Sequence, residues 1–562
     1  MSEPATPTFE PPGPGQWVLD RTHFPGGTTL MMRELVSEAV DSAYRRQFAE
    51  FGLPARTLRM VFVNGYPYTR VVPLVGGGRA PSSPPPAVVL RAVTRVHPAF
   101  RARARAARAT LAGRAWVDAI DEWRTEIRPR LVARNTAFAS VDVDEVDDDT
   151  LADHVRDLVA YLHDTYREHF RLHGHDLGPI GLLVSSCGDW GIAAAEVLAA
   201  LVGASPSTTE PTRRLRAMRE ALDAAGVDPA DLDEIRASGP ELATMLDGYL
   251  ARHGAVLCSG YDLDSPTLAE LPDLVLSTIR HAEPDRSEAH RRRHERVAAD
   301  LRARVPAADR DHFDQLLDDA RSAMDLRDDN GPITVEWPSG LLRLALLASG
   351  RRHARRGRID VAEQILELRL DELDAFVRSG HGPSAIELAT RAETRRAEKQ
   401  LTPPRTLGPV ENRPSFDVLP APLAELMRIL DSVMGELGMV TEPTEPAEAA
   451  GAASVLTGTG IGDEPIVGRV CAAETADAAF DRLAPGDILV TRTTTPAYNM
   501  VLTLVGGLVT GEGGPMSHAA VLSRELGLPA VIGVGDGFER LQDAMVVEVD
   551  PRAGTVRILD TP

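Results

Sequence analysis

Residues 505–537, VGGLVTGEGGPMSHAAVLSRELGLPAVIGVGDG, determine how the rest of the chain is interpreted. A β-branched run leads into a glycine-rich turn at 511–514, and the segment 518–526 predicts a helix with a glycine directly after it. The apolar run 530–534 predicts a buried strand. His518 therefore lies in the first turn of a helix that follows a glycine turn.

The predicted helix start has chemical consequences for His518. Unpartnered N–H groups and the positive end of the helix dipole favour an anion there. The same field disfavours the imidazolium form, so we expect a neutral, nucleophilic ring near pH 7. Such a histidine can attack phosphorus and carry the phosphoryl group. Gly513, Gly514 and Ser517 are the predicted phosphate-binding residues, and a structural histidine at a helix start is the alternative.

Two segments around His518 carry a family resemblance. Residues 513–520, GGPMSHAA, and 524–531, RELGLPAV, resemble the signature of the swivelling phosphohistidine domain of phosphoenolpyruvate-utilising enzymes. The match is to the rifampin phosphotransferase and phosphoenolpyruvate synthase type. The resemblance implies that His518 is the catalytic residue and carries a phosphoryl group.

Composition restricts the class of protein. The 562 residues suffice for several domains, and a net charge of −21 argues against a nucleic-acid surface or an anionic membrane surface. Three cysteines show neither metal spacing nor a disulfide framework. No apolar run reaches the roughly 18 residues of a membrane helix. We therefore expect a cytoplasmic protein with no nucleic-acid partner and no membrane partner.

The sequence predicts a multidomain α+β protein. Residues 1–15, rich in proline, are expected to be disordered. Residues 16–438 predict a mainly α-helical substrate-binding domain with a small N-terminal β element. Residues 439–460, acidic and rich in proline, alanine and glycine, predict a flexible linker. Residues 461–562 predict a C-terminal α/β swivelling phosphohistidine domain, the mobile domain of phosphoenolpyruvate-utilising enzymes.

Two local signals stand out within the predicted substrate domain. The Asn64-Gly65 dipeptide lies between two β-type runs and predicts the turn of a hairpin. Residues 182–190, LLVSSCGDW, interrupt the helical pattern and predict a loop near the pocket.

Histidines supply the first candidates for substrate binding. The run 19–25, LDRTHFP, resembles the opening of the family's substrate-binding region, so His23 is a candidate to line an acceptor pocket. A buried histidine beside proline and phenylalanine is the alternative. His173 belongs to a dense group with His163, His169 and His175. Neither Glu-x-x-His nor His-Glu-x-x-His accompanies this group, so we favour a substrate-facing cluster over a metal site and predict no metal.

Two arginines complete the candidate set. Residues 320–373 are similar to the helical segment that precedes the swivelling domain in the same family. Arg327 and Arg343 are the family-like arginines of this segment. Each can bind the acceptor or phosphate, or hold helices together by pairing with carboxylates.

The expected function follows from the resemblance and from what is missing. The resemblance covers residues 17–560, and we find neither an ATP-grasp domain nor a Gly-x-x-x-x-Gly-Lys-Ser/Thr loop. We expect a phosphotransferase component that carries a phosphoryl group on His518 from a separate ATP-grasp partner to a small-molecule acceptor in the helical domain. No cofactor is expected on this chain, while ATP and Mg are expected on the partner. The alternatives are an ATP-independent enzyme that uses His518 for acid–base chemistry on a metabolite, and a non-catalytic binding module.

Overall fold

A computed structural model describes the chain apart from a set of short segments. Those segments are 1–6, 21–22, 25, 77–85, 202, 259, 283–286, 412–414, 437–454, 463, 475, 481, 495–497, 499–500, 516 and 561–562. The chain divides into two compact units. Unit 1 comprises Met1–His175, Ala255–Pro266 and Asn330–Arg428. Unit 2 comprises Asp176–Gly254, Thr267–Asp329 and Ile429–Pro562.

Strands occur in both units. Within the described residues the strands, β1 to β12 in chain order, are Trp17–Leu19, Ala55–Val63, Tyr66–Pro73, Thr406–Leu407, Val455–Thr457, Thr459–Ile461, Ile466–Ala472, Ile488–Thr491, Gly507–Thr510, Ala530–Ile532, Val546–Asp550 and Thr555–Asp560.

Helices make up most of the chain, and none that the structure describes is long and apolar enough to cross a membrane. In the same described residues the α-helices, α1 to α20 in chain order, are Leu30–Phe51, Ala87–Val96, Pro98–Gly113, Trp116–Glu122, Arg128–Ala139, Asp148–Leu172, Leu177–Asp189, Ala194–Ala199, Pro206–Ala225, Leu232–Ala237, Pro240–His253, Pro272–Arg280, Ser287–Arg304, Arg310–Gly331, Trp337–Arg355, Leu373–Ser379, Ala385–Lys399, Ala421–Glu436, Ala476–Phe480 and His518–Leu526. The predicted fold class, mainly helical with a small N-terminal sheet and a C-terminal mixed α/β region, is confirmed.

Unit 1 contains a four-stranded sheet in the order β2-β3-β1-β4. The predicted hairpin is confirmed: β2 pairs antiparallel with β3, and the turn places Asn64 at φ 46° and Gly65 at φ 78°. Left-handed backbone at both positions is the geometry that an Asn-Gly turn supplies.

Helix α6 organises the core of unit 1. Asp147 caps it by accepting a hydrogen bond from the Thr150 N–H at 2.8 Å. Its apolar side chains recur at helical spacing and are buried against α1 and α15. The helix ends at Leu172, and its last turn presents His169 to the core.

The first residues of unit 1 differ from the prediction. Residues 1–6 lie outside the described residues. The prediction of disorder is wrong for residues 7–15, because Phe9 packs its ring 6.0 Å from Tyr66 and 6.4 Å from Tyr68. Aromatic contacts with the sheet hold a segment that its proline content alone would leave disordered.

Unit 2 contains an eight-stranded sheet in the order β5-β12-β11-β7-β8-β9-β10-β6. Strands β7, β8, β9 and β10 run parallel, and the outer pairings are antiparallel. Successive residues point to opposite faces, so Leu508 joins the core under α20 while Val509 joins the core on the other face. Helix α20 connects the parallel neighbours β9 and β10.

Two predicted boundaries need correction. Residues 176–254 and 267–329, predicted as part of the substrate domain, belong to the unit that also contains His518. The linker predicted at 439–460 lies outside the described residues up to 454. For residues 455–460 the linker prediction is wrong, because β5 pairs with β12 and β6 pairs with β10. Composition does not reveal these strands, since each has only three residues and is stabilised by pairing.

The loop predicted at 182–190 is also wrong. Helix α7 covers all but the last of these residues. Ile180, Leu183, Val184 and Cys187 lie on its buried face. Burial of that face outweighs the weak helix propensity of the serines and glycine.

Candidate active site

The glycine turn before His518 is shaped by close packing. Gly513 has φ 116°, and a Cβ there would lie 2.9 Å from the Ser517 Oγ. A Cβ at Gly511 would lie 2.4 Å from the Phe538 ring. Both positions therefore require glycine, because the turn lies directly against its neighbours.

Ser517 begins the helix that carries His518. Its backbone is extended, with φ −60° and ψ 158°, and its Oγ accepts a hydrogen bond from the Ala520 N–H at 3.3 Å. Its N–H donates to the Gly514 carbonyl oxygen at 2.9 Å. Ser517 is thus an N-cap residue, and binding of phosphate by Gly513, Gly514 and Ser517 stays a prediction.

A threonine that the sequence analysis missed orients the His518 ring. The Thr494 Oγ1 lies 2.9 Å from the His518 Nδ1, and the Thr494 side chain is buried. Thr494 follows β8, the parallel neighbour of the strand that leads to His518. The carboxyl ends of parallel neighbours meet at one edge of a sheet, and this rule was the signal that could have found Thr494.

The His518 imidazole is neutral at pH 7. Burial lowers its pKa to about 3, and the positive charge of Arg327 adds to the effect. Neutrality was expected from the helix start, but the main physical cause is desolvation.

Arg327 and Asp328 lie near the end of α14, in the same unit as His518. Arg327 is close enough to lower the pKa of His518 by its charge. Burial raises the pKa of Asp328 to about 6, although the neighbouring Arg327 opposes the shift. The Asp328 Oδ2 is buried and has no hydrogen-bond partner among the described residues. Asp328 was missed because a carboxylate in a charged run is usually a solvated residue.

Arg524 stabilises the glycine-rich turn that precedes His518 and does not serve as a surface charge. Its Nη1 donates to the Pro515 carbonyl oxygen. Burial lowers the pKa of Arg524 to about 10. The Arg524 side chain therefore stabilises the conformation of the residues that precede His518.

The other three predicted site residues lie in unit 1. One ring nitrogen of His23, one of His173 and one of His169 all lie within 4.8 Å of one another. Burial lowers the pKa of His23, but the Asp20 carboxylate outweighs burial and leaves that pKa above its usual value. Arg343 is buried, and its Nη1 donates to the Leu263 carbonyl oxygen at 2.7 Å. Two roles were left open for Arg343. This contact fits the structural role, in which the side chain holds elements of the fold together.

Unit 2 combines the mixed sheet that carries His518 with the helix that supplies Arg327, and both parts are similar to known protein families. Residues 483–554 match the family model "PEP-utilising enzyme, mobile domain", and residues 195–328 match "Rifampicin phosphotransferase fourth domain". The first match contains His518 and the second contains Arg327 and Asp328. The resemblance predicted from the His518 motif is therefore confirmed.

Individual relatives agree with these matches. The chain is 28% identical over 359 residues to the rifampicin phosphotransferase of Streptomyces sviceus, covering 60% of this chain and 37% of that protein. It is 44% identical over 89 residues to the phosphoenolpyruvate synthase of Aeropyrum pernix, covering 16% and 11%. It is 29% identical over 342 residues to the chondramide synthase of Chondromyces crocatus, covering 57% and 8%. The matched part thus spans less than two fifths of each of these relatives.

Proposed function

We propose that this protein is a phosphotransferase component that carries a phosphoryl group on His518 and delivers it to a small-molecule acceptor. The observation that carries the proposal is a neutral, partly exposed histidine at a helix start with an arginine charge beside it. A neutral imidazole is a nucleophile, and the arginine charge attracts the phosphate that it attacks.

In the first step the His518 Nε2 attacks the phosphorus of a phosphate donor. A P–N bond forms, the P–O bond to the leaving group breaks, and the leaving group departs with the bonding electrons. Thr494 supports this step if its Oγ1 accepts a hydrogen bond from the Nδ1–H group, because the proton then stays on Nδ1 and the lone pair resides on Nε2.

In the second step an acceptor hydroxyl attacks the same phosphorus and the P–N bond breaks. The hydroxyl proton needs a base, and the Asp328 carboxylate is the candidate. A carboxyl group with a pKa of about 6 is ionised at pH 7 and is more basic than an exposed aspartate. Arg327 would stabilise the negative charge of the phosphoryl group during the transfer.

We further propose that the donor is ATP with Mg²⁺ on a separate ATP-grasp protein, in the cytoplasm where ATP is abundant. The relatives named above suggest rifampicin as the first acceptor to test. An ATP-independent acid–base role fits less well, because a histidine with a pKa near 3 is a poor proton acceptor at neutral pH.

The test is to incubate the full chain with a purified stand-alone ATP-grasp protein and with ATP labelled at the β or the γ phosphate. We expect an acid-labile, base-stable adduct on the wild type and none on His518→Asn. His381→Asn, at an exposed position of unit 1, is the matched control and should label fully. Equal labelling of His518→Asn and the wild type would refute the carrier role.

The second step has its own readout. With adduct formed beforehand, loss of label to rifampicin should rise with pH through an apparent pKa near 6, as Asp328 ionises. Asp328→Asn should still accept label but transfer it about 10²–10⁴-fold more slowly, the usual contribution of a general base. An unchanged pH profile in Asp328→Asn would assign the proton to another group.

A further inference from the structure

Three histidines from two separate segments of the chain converge in unit 1. His169 lies in the last turn of α6, His173 follows the end of that helix, and His23 lies on the segment after β1. One nitrogen from each ring lies within 4.8 Å of the others. His169 is buried, and His23 and His173 are partly buried. Contrary to the prediction made from the sequence, which was that the chain binds no metal, we propose that these three imidazoles bind a divalent transition-metal ion of the zinc type.

Hydrogen bonds around His169 determine which nitrogen is available. The Thr334 hydroxyl donates its single hydrogen to an oxygen of Asn330, either the carbonyl oxygen or the Oδ1. It must therefore act as an acceptor at the His169 Nδ1, which lies 3.1 Å away. The proton consequently resides on Nδ1, and the lone pair resides on Nε2.

Among the described residues, none donates a hydrogen bond to the lone pair of the His169 Nε2. It is buried and has no hydrogen-bond partner there, and only 2% of the His169 surface is exposed. A buried acceptor without a partner is costly, and a bound ion or an ordered water is what usually satisfies such an atom. A metal ion bound at Nε2 would remove that cost.

His23 has the arrangement expected of a metal ligand. Its Nδ1 lies 2.9 and 3.2 Å from the two oxygens of the Asp20 carboxylate. A carboxylate that accepts a hydrogen bond from the Nδ1–H group orients the ring and leaves the Nε2 lone pair available to a metal. The His23 ring also packs 5.3 Å from the Tyr261 ring, which restricts its rotation.

The backbone that packs against the histidine cluster departs from α-helical geometry, as is common at functional sites. Residues Pro332–Glu336 form a π-helical segment, and Thr334 lies within it. Proline contributes no N–H to the helical hydrogen bonds, and π-helical turns are frequent at functional sites. The irregular turn brings the Thr334 hydroxyl to the His169 ring.

The chemistry of the three ligands selects the ion. Imidazole nitrogens suit Zn²⁺, and three histidines leave a fourth tetrahedral position for water or a substrate atom. Nitrogens bound to zinc at 2.0–2.1 Å lie about 3.3 Å apart. The nitrogens, which lie within 4.8 Å of one another, would have to move closer together on binding.

The test uses the full chain after removal of metal with a chelator. Titration with Zn²⁺ alone, followed by calorimetry, should give one ion per chain. Co²⁺ should give the visible absorption of a four-coordinate site with nitrogen ligands. His169→Gln, His23→Gln and His173→Gln should each weaken binding by at least about 100-fold. Asp20→Asn, which keeps all three ligands, should weaken it by about 10–100-fold.

His175→Gln is the matched control. His175 is a buried histidine two residues beyond His173, its ring lies 4.6 Å from the Phe51 ring, and it is not one of the three converging residues. It should bind Zn²⁺ as the wild type does. Zn²⁺ should also raise the Tm of the wild type and of His175→Gln but not of His169→Gln, which separates lost binding from lost folding. Absence of stoichiometric binding to the wild type, or binding unchanged in all three ligand variants, would overturn the proposal.

Discussion

The two histidine sites of this protein are built in different ways. His518 owes its place to one continuous stretch, in which a glycine turn and an N-cap serine position a single ring at a helix start. The cluster of His23, His169 and His173 is assembled from separate elements of unit 1 and has no local motif. The sequence predicted His518 together with its setting, whereas it named His23 and His173 only as separate candidates, and packing of the fold brought them together with His169.

The two sites also differ in what lowers the pKa of a histidine. At His518 burial and the Arg327 charge keep the pKa low. At His169 burial dominates, and the neighbouring His173 and His23 lower the pKa further. At His23 burial is outweighed by the Asp20 carboxylate, which raises the pKa instead, so the pKa values of neighbouring histidines in this cluster shift in opposite directions.

The largest expected effect is a separation of the two sites by mutation. His518→Asn should lower adduct formation by more than about 10³-fold, because the nucleophile is gone, and should leave Zn²⁺ affinity unchanged. His169→Gln should do the reverse. Labelling and calorimetry on both variants measure this. Loss of both properties in either variant would mean that the two sites are one functional system.

Substitution of the two predicted arginines should affect two different properties: Arg327 should affect adduct formation, and Arg343 should affect the stability of the fold. Arg327→Ala should slow adduct formation by about 10²-fold, because a positive charge that stabilises the transition state is removed, and Arg327→Lys should recover part of the rate. Arg343→Gln should instead destabilise the fold by about 1.5–3 kcal/mol, because a buried charge-assisted hydrogen bond is lost. Single-turnover labelling and urea unfolding distinguish the two. A labelling defect in Arg343→Gln without loss of stability would contradict the assignment.

A smaller effect is expected at Thr494. Thr494→Val removes the hydroxyl beside the His518 Nδ1 and should slow labelling by about 10-fold, the value of one hydrogen bond. Thr494→Ser keeps the hydroxyl and should remain near the wild-type rate. If Thr494→Ser is as slow as Thr494→Val, packing of the methyl group and not the hydrogen bond matters.

The smallest effect concerns stability in acid. The pKa of His518 is about 3 in the folded protein, against an ordinary value of 6.5, so the unfolded chain binds more protons between these values. Stability therefore falls as pH drops below 6.5, by up to about 1.4 kcal/mol per pH unit from this group. His518→Gln should lose less stability than the wild type between pH 7 and 5. Parallel unfolding curves, with His381→Gln as control, would show that burial of His518 is weaker than inferred.

Local signals predicted the local parts of the fold. The Asn64-Gly65 turn and the helix that begins at His518 both formed as expected, because their geometry is set by neighbouring residues. The helix at 177–189 and the strands at 455–461 were missed, because burial and pairing with distant segments stabilise them. The division into units was missed for the same reason.

The sequence by itself determined the phosphohistidine-type motif, its catalytic candidate His518 and the mixed helical and α/β character of the chain. Only the tertiary structure placed Thr494 at the His518 ring, brought the Arg327 charge close to it, and joined His23 to His169 and His173. Periodicity and turn chemistry act over a few residues and can be read along the chain. Contacts between separate segments of the chain depend on which apolar faces pack together, and only the folded core decides that.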